Sequence, residues 1–219
     1  MGSSVSGVGV IDKAARLLDV LDEAPRSLGE LVVATGFSRA TAHRLAVALE
    51  QHGLVRRDEE GRFALGVRLI ALGRAAAERI PLASAAVPAL AALRDETGES
   101  VQLYVRQGDR RVCIAALESP HGLRTIVPMG ASLPLSVGSA GKILRDDAAS
   151  DRGPWTESVG EREAGVASVS AAVTGPDGRA VAAVSVSGPI ERTTRHPGRR
   201  YGDAVVAAAR RIETAAGLA

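Results

Sequence analysis

A chain of 219 residues has room for two modest domains or one larger one, and 46% apolar residues supply real cores, although 2% aromatics leave Ala, Val and Leu to fill them. A net charge of only +2 excludes a uniformly basic nucleic-acid coat, and a single cysteine, Cys113, excludes an intrachain disulfide and points to a reducing cytoplasm. With no secretory leader and no apolar run of membrane length, neither export nor membrane insertion is expected.

Residues 1–9 are rich in Gly and Ser and predict a loose lead-in. From Val10 to Leu21, Ile11, Ala14, Ala15, Leu18 and Leu21 recur at helical spacing, so a first helix is expected, ended by Pro25. Ser27 and Glu30 then form an S-x-x-E capping box, with Leu28, Leu31 and Val32 as the buried stripe of a second helix. Gly36 stands where a helix C-terminus needs positive φ, Ser38 can cap a third helix, and Gly53 can stop it. In that third helix Ala42, Leu45, Ala46 and Leu49 follow i, i+3, i+4, i+7 and share one buried face. Ala40, Arg44 and Val47 point the other way, flanked by Thr41 and His43.

Small and hydrogen-bonding side chains with an arginine near a helix N-terminus suit the reading of base edges in a major groove. Next, Val55-Arg56-Arg57, a turn at Asp58–Gly61, and Arg62-Phe63-Ala64-Leu65 predict a basic hairpin, the wing of a winged helix. Residues 1–65 hold eight basic and nine acidic side chains, yet Gly36–Arg57 holds four arginines against Glu50 alone. Positive charge is thus segregated onto one face, as docking to DNA requires. The expected DNA-contacting residues are Ser38, Arg39, Ala40, Thr41, His43, Arg44 and Val47, with Arg56, Arg57 and Arg62 from the wing.

Gly66–Arg79 predicts a helix whose apolar residues Val67, Leu69, Ile70, Leu72 and Ala76 exceed what one small winged helix can cover, so a second copy is expected against it. Leu82–Glu96 predicts another helix, closed by Thr97-Gly98. From Ser100 the pattern turns to β: strands at 100–107 and 111–117 around Gly108-Asp109, a third at Leu123–Val127, and two more at 165–174 and 179–187 joined by Gly175-Pro176-Asp177-Gly178. Short helical stretches at Gly138–Leu144 and Asp203–Ala216 complete an α+β sheet domain. The expected divisions are 1–66, a winged helix-turn-helix; 67–80, a linker and dimerisation helix; and 81–219, the α+β sheet domain.

Four segments carry a resemblance: ATGFSRATAHRLAVALEQHGLV at 34–55, GRFALGVRLIALG at 61–73, GASLPLSVGSAGKIL at 130–144 and EREAGVASVSAAVTGPDGRAVAAVSVSGPIER at 161–192. Over nearly its whole length the chain resembles the IclR family of bacterial transcriptional regulators, most nearly its actinobacterial members that control leucine and other amino-acid metabolism. The resemblance implies an N-terminal winged helix, a linker helix and a GAF-like antiparallel-sheet domain that binds a small effector, in a homodimer or tetramer, and repression as the usual outcome. It further implies that Leu123, Thr125, Ser139, Ala140, Val166, Ser168, Ser185 and Ser187 line the effector site. Hydroxyls beside small apolar groups there suit a short carboxylate such as an amino or keto acid. Two departures from the family pattern stand out. Only Arg145–Gly160 separates Leu144 from Glu161, where the family has a longer segment, and Ser158 replaces a frequent acidic residue.

Two other functions compete with this one. A regulator whose C-terminal domain only oligomerises would keep the DNA face and lose the effector. An enzyme would need Ser139 in Gly138-Ser139-Ala140-Gly141-Lys142 as nucleophile or phosphate loop, but Val137, Ser136 and Ile143 break both patterns. His43, His52, His121 and His196 have no metal or triad spacing, so no metal, cofactor or catalysis is expected.

Overall fold

The computed structural model describes residues 8–145 and 153–219; the expected lead-in, apart from residues 8 and 9, and part of the shortened Arg145–Gly160 stretch lie outside them. Two compact units divide between residues 76 and 77.

The first unit begins with α1 (Gly9–Glu23), α2 (Leu28–Thr35) and α3 (Arg39–Gln51). Its core is Leu17, Leu21, Leu31, Ala46, Leu49, Val55 and Phe63. In α1 the inward stripe runs through Ala14, Leu17, Leu18 and Leu21, whereas Ile11 and Ala15, expected inside, are exposed. Ile11 extends the same stripe by one turn but lies outside the cluster and is exposed. The capping box forms as the sequence demands: Glu30 N–H donates to Ser27 Oγ, and Ser27 N–H donates to Glu30 Oε2 at 2.7 Å. Gly36 closes α2 at φ 72°, a conformation that costs other residues a Cβ clash.

Strands β1 (Val55–Arg57) and β2 (Phe63–Leu65) pair antiparallel with Arg56 opposite Ala64. Arg26 bridges to Phe63 on the far side and anchors the hairpin to the chain before α2. Helix α4 (Arg68–Glu78) leaves directly from the end of α3: Gly66 N–H donates to the Leu54 carbonyl and Arg68 Nη1 to the His52 carbonyl. A Cβ on Gly66 would lie 2.1 Å from the Gly53 oxygen, so only glycine permits this approach. No residue of α4 is buried, and Val67 and Ile70 are 70% and 74% exposed.

The second unit opens with α5 (Pro81–Thr97), β3 (Ser100–Gln107) and β4 (Arg110–Leu117), followed by β5 (Ser132–Pro134) and α6 (Ser139–Arg145). Then come β6 (Thr156–Val159), β7 (Val166–Thr174), β8 (Ala180–Pro189), α7 (Ile190–Thr193) and α8 (Pro197–Ala215). Six strands form one antiparallel sheet in the order β5-β4-β3-β8-β7-β6. Strand alternation sorts its faces. Val169, Ala171 and Val173 of β7 and Ala182, Val184 and Val186 of β8 pack under α5 and α8. The opposite face carries Ser168, Ser170, Ser185 and Ser187, with α6 and the cluster of Tyr104, Cys113, Leu135, Ile143 and Leu144 beside them.

Leu123–Val127 is not a strand, contrary to its alternation. The place beside β4 is already taken: Cys113 exchanges hydrogen bonds with Gly130 and Ala131, and β5 continues the pairing at Arg110–Val112. Helix α8 also starts earlier than expected, at Pro197, which serves as a first-turn proline. Trp155, just before β6, lies over Gly198 and Gly202 of α8, where any side chain would strike its ring. No single helix among the described residues is long and apolar enough to cross a membrane.

Candidate DNA-reading face and effector cavity

The first candidate site is built by α3 and the hairpin. Ser38 caps α3 by accepting from Thr41 N–H, and its hydroxyl donates to Thr41 Oγ1 at 2.9 Å, so both hydroxyls are tied to the helix start. Ala42 and Ala46 are fully buried, which turns Arg39, Ala40, His43 and Arg44 outward; Thr41 and Val47 are half-buried at the margins. Arg39, Arg44 and Arg56 are exposed and have no carboxylate partner among the described residues. Arg57 is partly committed, stacked over the Phe63 ring at 4.2 Å and 3.4 Å from Glu50. Arg62 is more so, paired with Asp58 at 2.8 Å and Glu60 at 3.4 Å across the turn. Of the three wing arginines, Arg56 is therefore the one with its charge unspent.

The second candidate site is a cavity of about 20 Å³ between the serine face of the sheet and the start of α6, room for a water or two. Of the residues expected there, Ser139, Ala140, Val166, Ser168, Ser185 and Ser187 all line it. Leu123 and Thr125 do not, because their segment is coil outside the sheet: the Leu123 side chain is exposed and its carbonyl accepts from Arg192, while the Thr125 hydroxyl is buried without a hydrogen-bond partner among the described residues. Gln102, Tyr104, Arg111, Gly138, Ser158 and Arg162 also line it.

The hydroxyls form a chain. Ser139 Oγ lies 2.7 Å from both Ser168 Oγ and Ser170 Oγ, and Ser170 donates to Ser185 at 3.0 Å. Separately, Ser187 donates to Gln102 Oε1 at 3.1 Å. Beside the cavity, Glu161 accepts from Gly138 N–H at 3.1 Å and from Lys142, whose ammonium also reaches the Glu157 carbonyl. Burial works to raise the Glu161 pKa, but the hydrogen bonds from Lys142 and Gly138 prevail and hold it below the usual value. Arg111 is almost wholly buried and braces the turn before α6, donating Nη1 to the Pro134 and Val137 carbonyls. Gly141 is required there, since a Cβ would come within 2.5 Å of the Leu135 oxygen and 2.7 Å of the Arg111 guanidinium. Burial pushes the Cys113 thiol up to about 11, the behaviour of a packed strand cysteine.

Sequence reasoning missed Ser170, Gln102, Arg111 and Arg162. Ser170 was within reach, since a tight turn between β7 and β8 sets it opposite Ser185. Nothing local marks Arg111, whose role depends on α6 folding back over β4.

Against known proteins, residues 10–59 match the IclR helix-turn-helix domain, and residues 74–152 and 147–214 match the C-terminal domain of bacterial transcriptional regulator IclR. The chain belongs to the IclR family. It is 26% identical to the transcriptional repressor IclR of Escherichia coli over 94% of this chain and 89% of that protein. The regulator KipR of Bacillus subtilis is 29% identical over 60% of this chain, and there the match spans about half of the relative, 53% of its length. An IclR-type regulator from Alicyclobacillus acidocaldarius superposes with a TM-score of 0.80 at 22% identity, over 96% of this chain and 99% of that one. An IclR homologue from Microbacterium hydrocarbonoxydans, solved with 4-hydroxybenzoate, gives 0.75 at 18%, over 96% and 100%. IclR-family proteins join an N-terminal helix-turn-helix to an antiparallel-sheet domain, the α+β arrangement seen here. They are DNA-binding transcriptional regulators and not enzymes.

Proposed function

We propose that the protein is a cytoplasmic repressor that binds a paired operator as a homodimer or tetramer and whose hold on DNA is set by a small carboxylate effector. The unspent charge of Arg39, Arg44 and Arg56 on one surface carries the DNA half of this reading. In it, residues 1–66 read the duplex, with α3 in the major groove through Arg39, Ala40, Thr41, His43, Arg44 and Val47. Arg56 and Arg57 meet phosphates or the minor groove, and Ser38 and Arg62 serve mainly to shape the two elements. Residues 67–80 supply the dimer contact, supported by the uncovered Val67 before α4, Ile70 and Leu72 in it, and the exposed Val10 and Ile11 of α1. Residues 81–219 hold the effector in the serine-lined cavity.

Support for an effector comes from the cavity's buried polar lining and from the relative solved with 4-hydroxybenzoate. Modulation requires that the ligand bind one arrangement of the dimer better than another, since equal binding shifts nothing. Regulation of amino-acid metabolism genes is the physiological role we favour. A gel shift on the promoter upstream of the protein's own gene, with and without short amino, keto and hydroxy acids, tests the whole reading. A retarded band that weakens or strengthens with one of these acids is expected. A band indifferent to all of them would instead favour a C-terminal domain that only oligomerises.

A further inference from the structure

Arg111 is the one buried cation on the wall of the cavity, and it has no carboxylate partner among the described residues. Its Nη1 is spent on two backbone carbonyls, which offer partial charge only, and its Nε is buried with no hydrogen-bond partner among the described residues. Arg162 lines the same space, close enough for the two like charges to repel, and its own ion pair is a loose 3.8 Å contact with Glu163. Among the described residues no carboxylate lines the cavity to balance either. Glu161, beside the cavity, is held by Lys142, Gly138 N–H and Ser158. A buried charge without a counter-charge is expensive, and the deficit here is for an anion.

The hydroxyl chain adds the hydrogen-bond code. Ser170 gives its only hydrogen to Ser185, so Ser139 must give its own to Ser170, and Ser168 must give its own to Ser139. Ser185 is left with a hydrogen to donate. Gln102 accepts from Ser187 at one lone pair of its carbonyl oxygen and keeps both N–H donors. Together with the guanidinium groups, these are donors facing a ligand oxygen; the lone pairs of Ser168 and Ser187 remain for a neutral hydroxyl, but no charged acceptor remains for an ammonium.

We propose that Arg111, assisted by Arg162, reads the carboxylate of the effector, and that the cavity therefore takes a small acid anion and rejects the amino acid of the same shape. This rests on the cavity being the effector site, and it narrows the class of acid that enters it. Because the free space is about 20 Å³, an acid of a few heavy atoms must displace water and move the Arg162 side chain, which is 21% exposed, to enter.

The test is calorimetry on the full chain with L-lactate and L-alanine, which share a carboxylate and a skeleton and differ in hydroxyl against ammonium. Lactate should bind at least tenfold more tightly than alanine, and Arg111→Gln should weaken lactate at least tenfold while far-UV circular dichroism stays unchanged. Because Arg111 also braces residues 134–137, Arg162→Gln is the second variant, and it should weaken lactate several-fold without disturbing the fold. Equal binding of the two ligands, no binding of lactate, or parental lactate affinity in either folded variant overturns the proposal. Selective, Arg111-dependent lactate binding that leaves operator affinity unchanged would uphold Arg111 as the anion reader and sink the effector role proposed for the cavity.

Discussion

Arg44 and Arg56 carry the same charge on the same surface but are set for different tasks. Arg44 sits one turn into α3, opposite the buried Ala42 and Ala46, where a helix in a major groove presents its side chains to base edges. Replacing it with Ala should remove discrimination at one or two base pairs, about 1–3 kcal/mol each, measured by titrating single-pair operator variants against the parent and Arg44→Ala. Equal losses across every variant would place Arg44 on phosphates instead. Arg56 lies on the hairpin with nothing to hold it, whereas Arg57 is stacked on Phe63 and Arg62 is folded onto its own turn. These differences were invisible in the sequence, where the three arginines read alike.

At the scale of elements, what was legible was what local chemistry fixes. The capping box at Ser27 and Glu30, the left-handed Gly36 and Gly98, and the Gly175–Gly178 turn each bind a residue to its near neighbours, and each is found as expected. What failed depended on partners distant in the chain. Leu123–Val127 alternates like a strand but lost the edge of β4 to residues 130–134. Strand β6 is too short and polar to announce itself, and it exists by pairing with β7 next to a Trp155 seated on the glycines of α8. The serines at 168, 185 and 187 were reached through the family resemblance, since alternation alone sets them on one face without making a site, whereas Arg111 and Gln102 needed the sheet order to reach the same cavity. One buried ion pair ties these elements together. Glu99, between α5 and β3, is almost wholly buried and makes two bonds to Arg192 of α7 at 2.7 and 2.9 Å. Arg192→Ala would strand that carboxylate and should cost roughly 3 kcal/mol, the lower end for a broken buried pair because Arg192 is partly exposed. Urea unfolding of parent and variant measures it, and a difference below about 1 kcal/mol would mean the pair is solvated in practice.

At the scale of the whole molecule the account needs a second copy. Ile70 and Leu72, with Val67 just before them, put apolar surface along a helix none of whose residues is buried, a face that monomers rarely leave uncovered. Ile70→Asp should therefore shift the protein toward monomer in sedimentation velocity and weaken operator binding, because two half-sites can no longer be held at once. An unchanged sedimentation coefficient would move the dimer contact elsewhere. The central claim is that α3 and the hairpin dock on duplex DNA through unspent arginines. Fluorescence anisotropy of an operator duplex, titrated at several salt concentrations with the parent and Arg56→Ala, tests it most directly. The account predicts log affinity falling linearly with log salt, and a slope about one unit shallower for each phosphate contact that Arg56→Ala removes. A parent protein whose duplex binding ignores salt, or a variant with the parental slope and affinity, would contradict it.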